Sequence, residues 1–196
     1  MPRTVPDVVP AGRMNSNDQP ILNAGPDLIL RPWIRSDAPA LVAAFSDAAI
    51  QRWHTRVFSS EEEAEAWIDR WGELWNAETD ASWAVTSATA RELNGYVALR
   101  SVDLESGSAH VAYWVVEAAR GRGVATAAAE AISRWAFDDL KLHRLELRHA
   151  AGNVASCNVA SKLGFALEGT ARSAELLTDG WHDEHLHARI NPVPIP

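Results

Sequence analysis

The stretch Arg120-Gly121-Arg122-Gly123-Val124-Ala125-Thr126 stands between a run of alternating character, Ser108 to Val116, and an alanine-rich run of helical spacing, Thr126 to Phe137. Two glycines permit a sharp turn and a close backbone approach, and the helix start beyond them offers unpaired N–H groups carrying partial positive charge. Such a junction binds anions, with phosphate as the natural guest. A dinucleotide fingerprint needs a longer glycine pattern and an acid about 20 residues on, and a P-loop ends in Gly-Lys-Ser/Thr, so neither fits. Further along, Asn153 and Ser156 are three apart and share one helix face, while Ala155, Val159 and Leu163 form another face suited to a core. By spacing alone, Asn153 caps the helix and Ser156 supports the cap. Glu175 lies near the start of a strand, and its residue type alone predicts a solvated carboxylate.

The loop, read as Arg120-x-x-Gly123-x-Ala125, resembles the Arg/Gln-x-x-Gly-x-Gly/Ala signature of the GCN5-related N-acetyltransferases (GNAT). Downstream, Asn153-Val154-Ala155-Ser156 leads into Lys162-Leu163-Gly164-Phe165-Ala166-Leu167-Glu168-Gly169, then Ala174-Glu175-Leu176-Leu177 and Ala188-Arg189-Ile190. That succession is similar to the RimJ/RimL ribosomal-protein N-terminal acetyltransferase branch. The likeness runs from about Asp27 to Asn191 and is more specific in its second half.

The resemblance implies an α/β (α+β) GNAT fold, a mixed, mostly antiparallel central sheet of about seven strands flanked by about four helices and splayed near its middle. It implies acetyl-coenzyme A as cosubstrate. Gly121 and the backbone N–H groups of Arg122, Gly123, Val124, Ala125 and Thr126 would cradle its pyrophosphate, with Arg120 and Arg122 adding charge-assisted contacts. The main chain of Val115 and Val116 would pair with the pantetheine arm, an N–H near Val115 would serve as oxyanion donor, and Asn153 would face the cofactor. Ser156 is then the expected donor to the departing thiolate and Glu175 the expected general base. A base is needed because a free α-amine, which titrates at ~7.7–8.0, is mostly protonated at neutral pH, and only the neutral form attacks a thioester.

Trp53 and His54 fall in Arg52-Trp53-His54, between the first two predicted helices, where this family varies its substrate loops. With Tyr113 they are the expected acceptor-site residues. Cys157 points about 100° from Ser156 around a helix and reads as packed rather than nucleophilic. His182-Asp183-Glu184-His185-Leu186-His187 looks like a ligand cluster, but on a strand only alternate residues share a face, which groups Asp183, His185 and His187. No metal is expected.

The elements that must position these residues follow from periodicity. Leu28 to Trp33, interrupted by Pro32, predicts an edge strand. Asp37 is placed to cap a helix over 38–45. Ser60-Glu61-Glu62-Glu63 has capping-box spacing before Ala64, Trp67, Ile68, Trp71, Leu74 and Trp75, the buried stripe of an amphipathic helix. Runs 82–86, 94–101 and 108–116 read as a meander, joined by turns at 91–95 and 105–107. A helix after the glycine loop and a strand over 144–149 make a parallel crossover. A helix over 153–163 and two strands around Thr178-Asp179-Gly180 complete the chain.

Composition bounds the rest. At 196 residues, 47% hydrophobic and 22% charged, with nine tryptophans, the chain reads as one globular domain over 25–192. Residues 1–24, proline-rich and polar, read as a flexible extension in which Met14 is an alternative start, and 193–196 as a C-terminal tail. A net charge of −8 argues against nucleic acid and suits a cationic acceptor. The single cysteine allows no internal disulfide, and no apolar run reaches the ~20 residues of a membrane span. The expectation is a cytoplasmic enzyme, with a homodimer allowed. It transfers acetyl to an amine in a ternary complex, the favoured acceptor being the N-terminal α-amine of a ribosomal or other protein. Small amines or antibiotics, succinyl-coenzyme A as donor, and a catalytically silent acyl-coenzyme A sensor are the alternatives.

Overall fold

A computed structural model describes residues 4–90 and 92–192. Arg91, the first three residues and the tail 193–196 lie outside the described residues. The strands are β1 (Leu22–Gly25), β2 (Leu28–Pro32), β3 (Ala81–Ser87), β4 (Leu93–Asp103), β5 (Ser108–Val115), β6 (Arg144–Ala150), β7 (Ala166–Leu177) and β8 (Gly180–Ile190). The helices are α1 (Ala38–Phe45), α2 (Ala48–Gln51), α3 (Glu61–Asn76), α4 (Val124–Asp138) and α5 (Val154–Lys162). All eight strands form one sheet in the order β1-β2-β3-β4-β5-β6-β8-β7.

Every strand pair is antiparallel except β5 with β6. That parallel pairing covers only Ser108–Arg144, Ala109–Leu145 and His110–Glu146, although both strands run on for several residues. The sheet therefore opens into a wedge beyond His110 and Glu146. β1 pairs outside β2, so β2 is an interior strand and Pro32 is tolerated at its last position. β1 is too short, and its Leu-Asn-Ala-Gly too weakly alternating, to be read from sequence.

Alternation along β4 sorts the core into two layers. Val97 and Leu99 join Leu30, Trp83 and Val85 against the α4 stripe of Val124, Ala128, Ile132 and Ala136. Tyr96 and Ala98 face the other way, with Trp33, Phe45 and Trp114, against α1 and α3. Tyr96 and Trp114 stack there at 5.7 Å. Along α3, Ala64, Ile68 and Trp75 are buried and Trp67 and Trp71 half-buried, so the tryptophans are largely packing. The Ser60 hydroxyl accepts from the Glu63 amide as expected of a cap. Asp37 does otherwise, accepting from the Ile34 amide at 3.0 Å and from both terminal nitrogens of Arg31 at 2.7 Å.

Within the stretch read as a flexible extension, residues 8–14 pack against the domain. Val9 is 1% exposed and Met14 3% exposed, both in the α4-side core. Val8 and Val9 donate to the carbonyls of Glu105 and Leu104, and Glu78 accepts from the amides of Gly12 and Met14 at 2.6 Å. A β-carbon on Gly107, whose φ is +68°, would lie 2.3 Å from Val8. Proline content marks the absence of regular structure, which is a different property from absence of packing. A chain begun at Met14 would lose Val9 from the core.

Candidate active site

Two cavities open from the wedge between β5 and β6. The larger, about 420 Å³, runs from Ile50, Trp53 and His54 past Tyr113 and Val115 to the glycine loop and the start of α5. The smaller, about 220 Å³, lies deeper between β5 and β6 and reaches Arg148, His149 and Glu175. Trp53, His54, Tyr113, Asn153 and Ser156 line both. These five residues form the wall where contents of one cavity meet contents of the other.

The loop is shaped by backbone conformation. Gly121 (φ 72°) and Gly123 (φ 78°) are left-handed, a conformation that costs other residues roughly 1–2 kcal/mol. Gly123 is the N-cap of α4, and the first helical bond runs from Ala127 to its carbonyl. The amides from Gly121 to Thr126 have no acceptor among the described residues, and Gly121, Gly123, Val124, Ala125 and Thr126 line the large cavity. This is a cradle of free donors at the positive end of a 15-residue helix.

Arg120 also lines the cavity but is committed elsewhere. Its guanidinium pairs with Asp47 and donates to the Val115 carbonyl at 3.2 Å. Burial alone would raise the Asp47 carboxyl; the Ala49 amide and Arg120 reverse that and hold it below the usual range. Arg120 thus ties the loop to the N-cap of α2, a helix that sequence reasoning missed because it is only four residues long. Arg122 and Val116 lie off the cavity lining, and the Val116 amide donates to the Asn94 carbonyl. Val115 does line the cavity, on the stretch of β5 that β6 leaves unpaired.

On α5, Asn153 is the N-cap, its side-chain oxygen accepting from the Ser156 amide at 3.1 Å. The cap holds Ser156 on the shared wall. Beside it lies the Tyr113 hydroxyl, buried and without a bond of good geometry among the described residues. Burial pushes the Tyr113 phenol up to about 12, with Ser156 acting slightly the other way. Glu175 sits at the irregular stretch between Ala171 and Glu175, where β7 loses register with β8. One carboxylate oxygen is buried with no partner among the described residues. Burial first, then the Glu184 carboxylate, raise the Glu175 carboxyl above its ordinary range, with His182 opposing.

Trp53 closes one side: its ring edge comes within 4.0 Å of where a β-carbon on Gly152 would stand. Burial, helped by Arg100 and Arg56, lowers the His54 imidazole below its usual value, favouring the neutral ring. Burial likewise lowers His149. His149 and Arg148 carry no sequence signal as lining residues, since the alternation of β6 gives their face but not what lies opposite.

Residues 27–166 match the Acetyltransferase (GNAT) domain family. The chain belongs to the GNAT acetyltransferases. Among solved members, RimL, the ribosomal L7/L12 alpha-N-protein acetyltransferase in complex with coenzyme A, superposes with a TM-score of 0.82 at 24% identity, covering 87% of this chain and 98% of that one. The ribosomal-protein-S5-alanine acetyltransferase of Vibrio fischeri gives 0.82 at 21% identity, covering 90% and 100%. In sequence, the chain is 31% identical over 99 residues to the ribosomal-protein-serine acetyltransferase of Escherichia coli, 50% of this chain and 55% of that protein. It is 34% identical over 92 residues to YdaF of Bacillus subtilis, 47% and 50%. The match therefore spans about half the length of these curated relatives. The GNAT fold expected from the motifs is the one observed, with β1 as the additional strand and α2 as the additional helix. Among the described residues, no helix is long and apolar enough to cross a membrane.

Proposed function

We propose that this chain transfers an acetyl group from acetyl-coenzyme A to a primary amine, with the N-terminal α-amine of a protein as the favoured acceptor. The observation that carries the reading is the shared wall: Ser156 borders both cavities, whereas Glu175 borders only the smaller one. A proton donor therefore lies at the junction and a proton acceptor on the far side.

The larger cavity suits the cofactor. Free amides from Gly121 to Thr126 would hold a diphosphate, and the unpaired edge of β5 near Val115 would hold an extended amide-bearing arm. When bound, acetyl-coenzyme A supplies a thioester carbonyl open to a neutral amine. Glu175, whose carboxyl burial and the Glu184 carboxylate raise above its ordinary range, is placed as the base that takes the proton the acceptor ammonium must lose. Ser156 donates a proton on the cofactor side, and the Tyr113 hydroxyl, still protonated with a pKa of about 12, can restore it. Trp53 and His54 screen the junction from water.

The smaller cavity, about 220 Å³, has room for one terminal residue or a compact amine. Its Glu175 and the net charge of −8 favour a cationic guest. RimL and the Escherichia coli relative are named for acetylating ribosomal proteins, which favours a protein N-terminus. The test is thiol release from acetyl-coenzyme A against peptides of varied N-terminal residue and a panel of small amines. Peptide turnover that vanishes when the α-amine is blocked supports the proposal. Turnover confined to small amines would move the acceptor, and none at all would leave an acyl-coenzyme A sensor.

A further inference from the structure

Behind α5, on the side away from the cofactor cavity, four side chains converge. His149 of β6 is the direct cross-strand neighbour of His185 on β8, His187 follows two residues later on the same face, and Cys157 reaches down from α5. One potential ligand atom from each lies within 4.8 Å of all the others. The rings are packed together at 5.2 to 5.9 Å between centroids. Asp183, grouped with His185 and His187 by alternation, instead accepts from the Ser173 amide at 2.9 Å.

The hydrogen bonds around these rings set their tautomers. His149 Nδ1 lies 2.8 Å from the Ala150 carbonyl and His187 Nδ1 lies 3.3 Å from the Phe165 carbonyl. A carbonyl only accepts, so each Nδ1 carries the proton and each Nε2 presents a lone pair. Both Nε2 atoms are buried with no partner among the described residues, and so is Nδ1 of His185. A ring nitrogen bonded to a backbone carbonyl while its opposite nitrogen is free is the arrangement that orients histidines toward a metal.

We propose that His149, His185, His187 and Cys157 bind one zinc-class divalent cation as a closed, four-coordinate structural site. The set is three imidazoles and a thiolate, a borderline-soft combination that excludes magnesium and calcium and suits tetrahedral zinc. Bonds of about 2.0–2.1 Å to nitrogen and 2.3 Å to sulfur require the ligand atoms to draw together by roughly 1 Å. Cys157 and His185 are the two half-buried members of the set, and their side chains have the most freedom to move toward that closure. The Cys157 thiol proton is released to solvent on binding. The ion would clamp α5 to β6 and β8, one residue from Ser156, and so brace the helix that presents it. The set shares His149 with the lining of the smaller cavity, but its metal content and cobalt spectrum can be read whether or not the acetyl-transfer reading holds.

The test uses untagged, full-length protein. Metal analysis of the protein as purified and after dialysis against zinc should give one equivalent, and chelation should lower the melting temperature. Cobalt(II) added to the chelated protein should produce an intense thiolate-to-cobalt charge-transfer band and tetrahedral d–d absorption. C157S should abolish the charge-transfer band, and H185A should weaken zinc binding by ~10²-fold or more, beyond the 10–100-fold typical of losing an outer-shell partner. Substoichiometric zinc and no cobalt band in the folded parent protein would overturn the proposal. Unchanged zinc affinity in both variants would overturn it as well.

Discussion

Substituting Gln for Glu175 keeps the side-chain shape and removes a charge, and its effects on rate and on stability should have opposite signs. In the reaction, Gln cannot accept the ammonium proton. Loss of a positioned general base typically costs ~10²–10⁴-fold, or about 2.7–5.4 kcal/mol at 1.36 kcal/mol per tenfold. Stability depends on the raised carboxyl pKa, which burial and then Glu184 produce. A raised folded-state pKa means that the folded protein holds this proton more tightly than the unfolded chain. Stability therefore falls as pH climbs through the unfolded-state value and then the folded one, and the ionised carboxylate is a liability at neutral pH. Gln is neutral throughout and removes that fall. E175Q should thus melt above the parent at pH ~7.5, and the gap should close as pH drops below the ordinary carboxylate value of 4.5. Steady-state thiol release and thermal melts across pH measure both. Turnover within about threefold of the parent would remove Glu175 from the mechanism. A lower melting temperature at neutral pH would show that its carboxylate is stabilised by something other than the groups described.

S156A should lower turnover by ~10²-fold or more while the Kd for acetyl-coenzyme A, read by calorimetry, stays within about twofold. G123A should fold, since its β-carbon meets nothing within 4 Å, but φ of 78° imposes roughly 1–2 kcal/mol of strain. Relaxation of that strain disturbs the amide cradle, and binding should weaken about tenfold, with a melt and a calorimetric titration separating the two effects. V9A removes two buried methyl groups and should cost ~1.5–3 kcal/mol, a fall of ~3–12 °C in Tm. An unchanged Tm would return residues 4–14 to the status of a loose extension.

Features written in local spacing are legible in the sequence. The helix over 38–45, the α3 stripe, the meander and the Thr178-Asp179-Gly180 turn each carry their own periodicity or turn residues, and they appear as read. So does the glycine loop, because left-handed conformation and a following helix are local properties. What stays hidden depends on neighbours distant in the chain. Val9 gives no hint that Leu104 awaits it, and Asp47 none that it will hold Arg120. The angle of Cys157 from Ser156 says only that it packs, whereas its significance comes from His149 and His185 on two other elements. Asn153 caps α5 as its spacing predicts, and it also lines both cavities.

The parallel seam between β5 and β6 is three residues long, ending where His110 and Glu146 meet at 3.3 Å. On its outer side β6 keeps an unbroken ladder with β8, and β5 pairs with β4 along most of its length, with one irregularity between Arg100 and Asp103. The gauge of the wedge is consequently governed by a few side chains at its apex, and substitutions at Ala109, His110, Leu145 or Glu146 can widen or narrow it while the outer pairings hold each strand in the sheet. A scaffold built this way can be refitted for bulkier or slimmer guests by adjusting a fulcrum remote from the residues that handle protons.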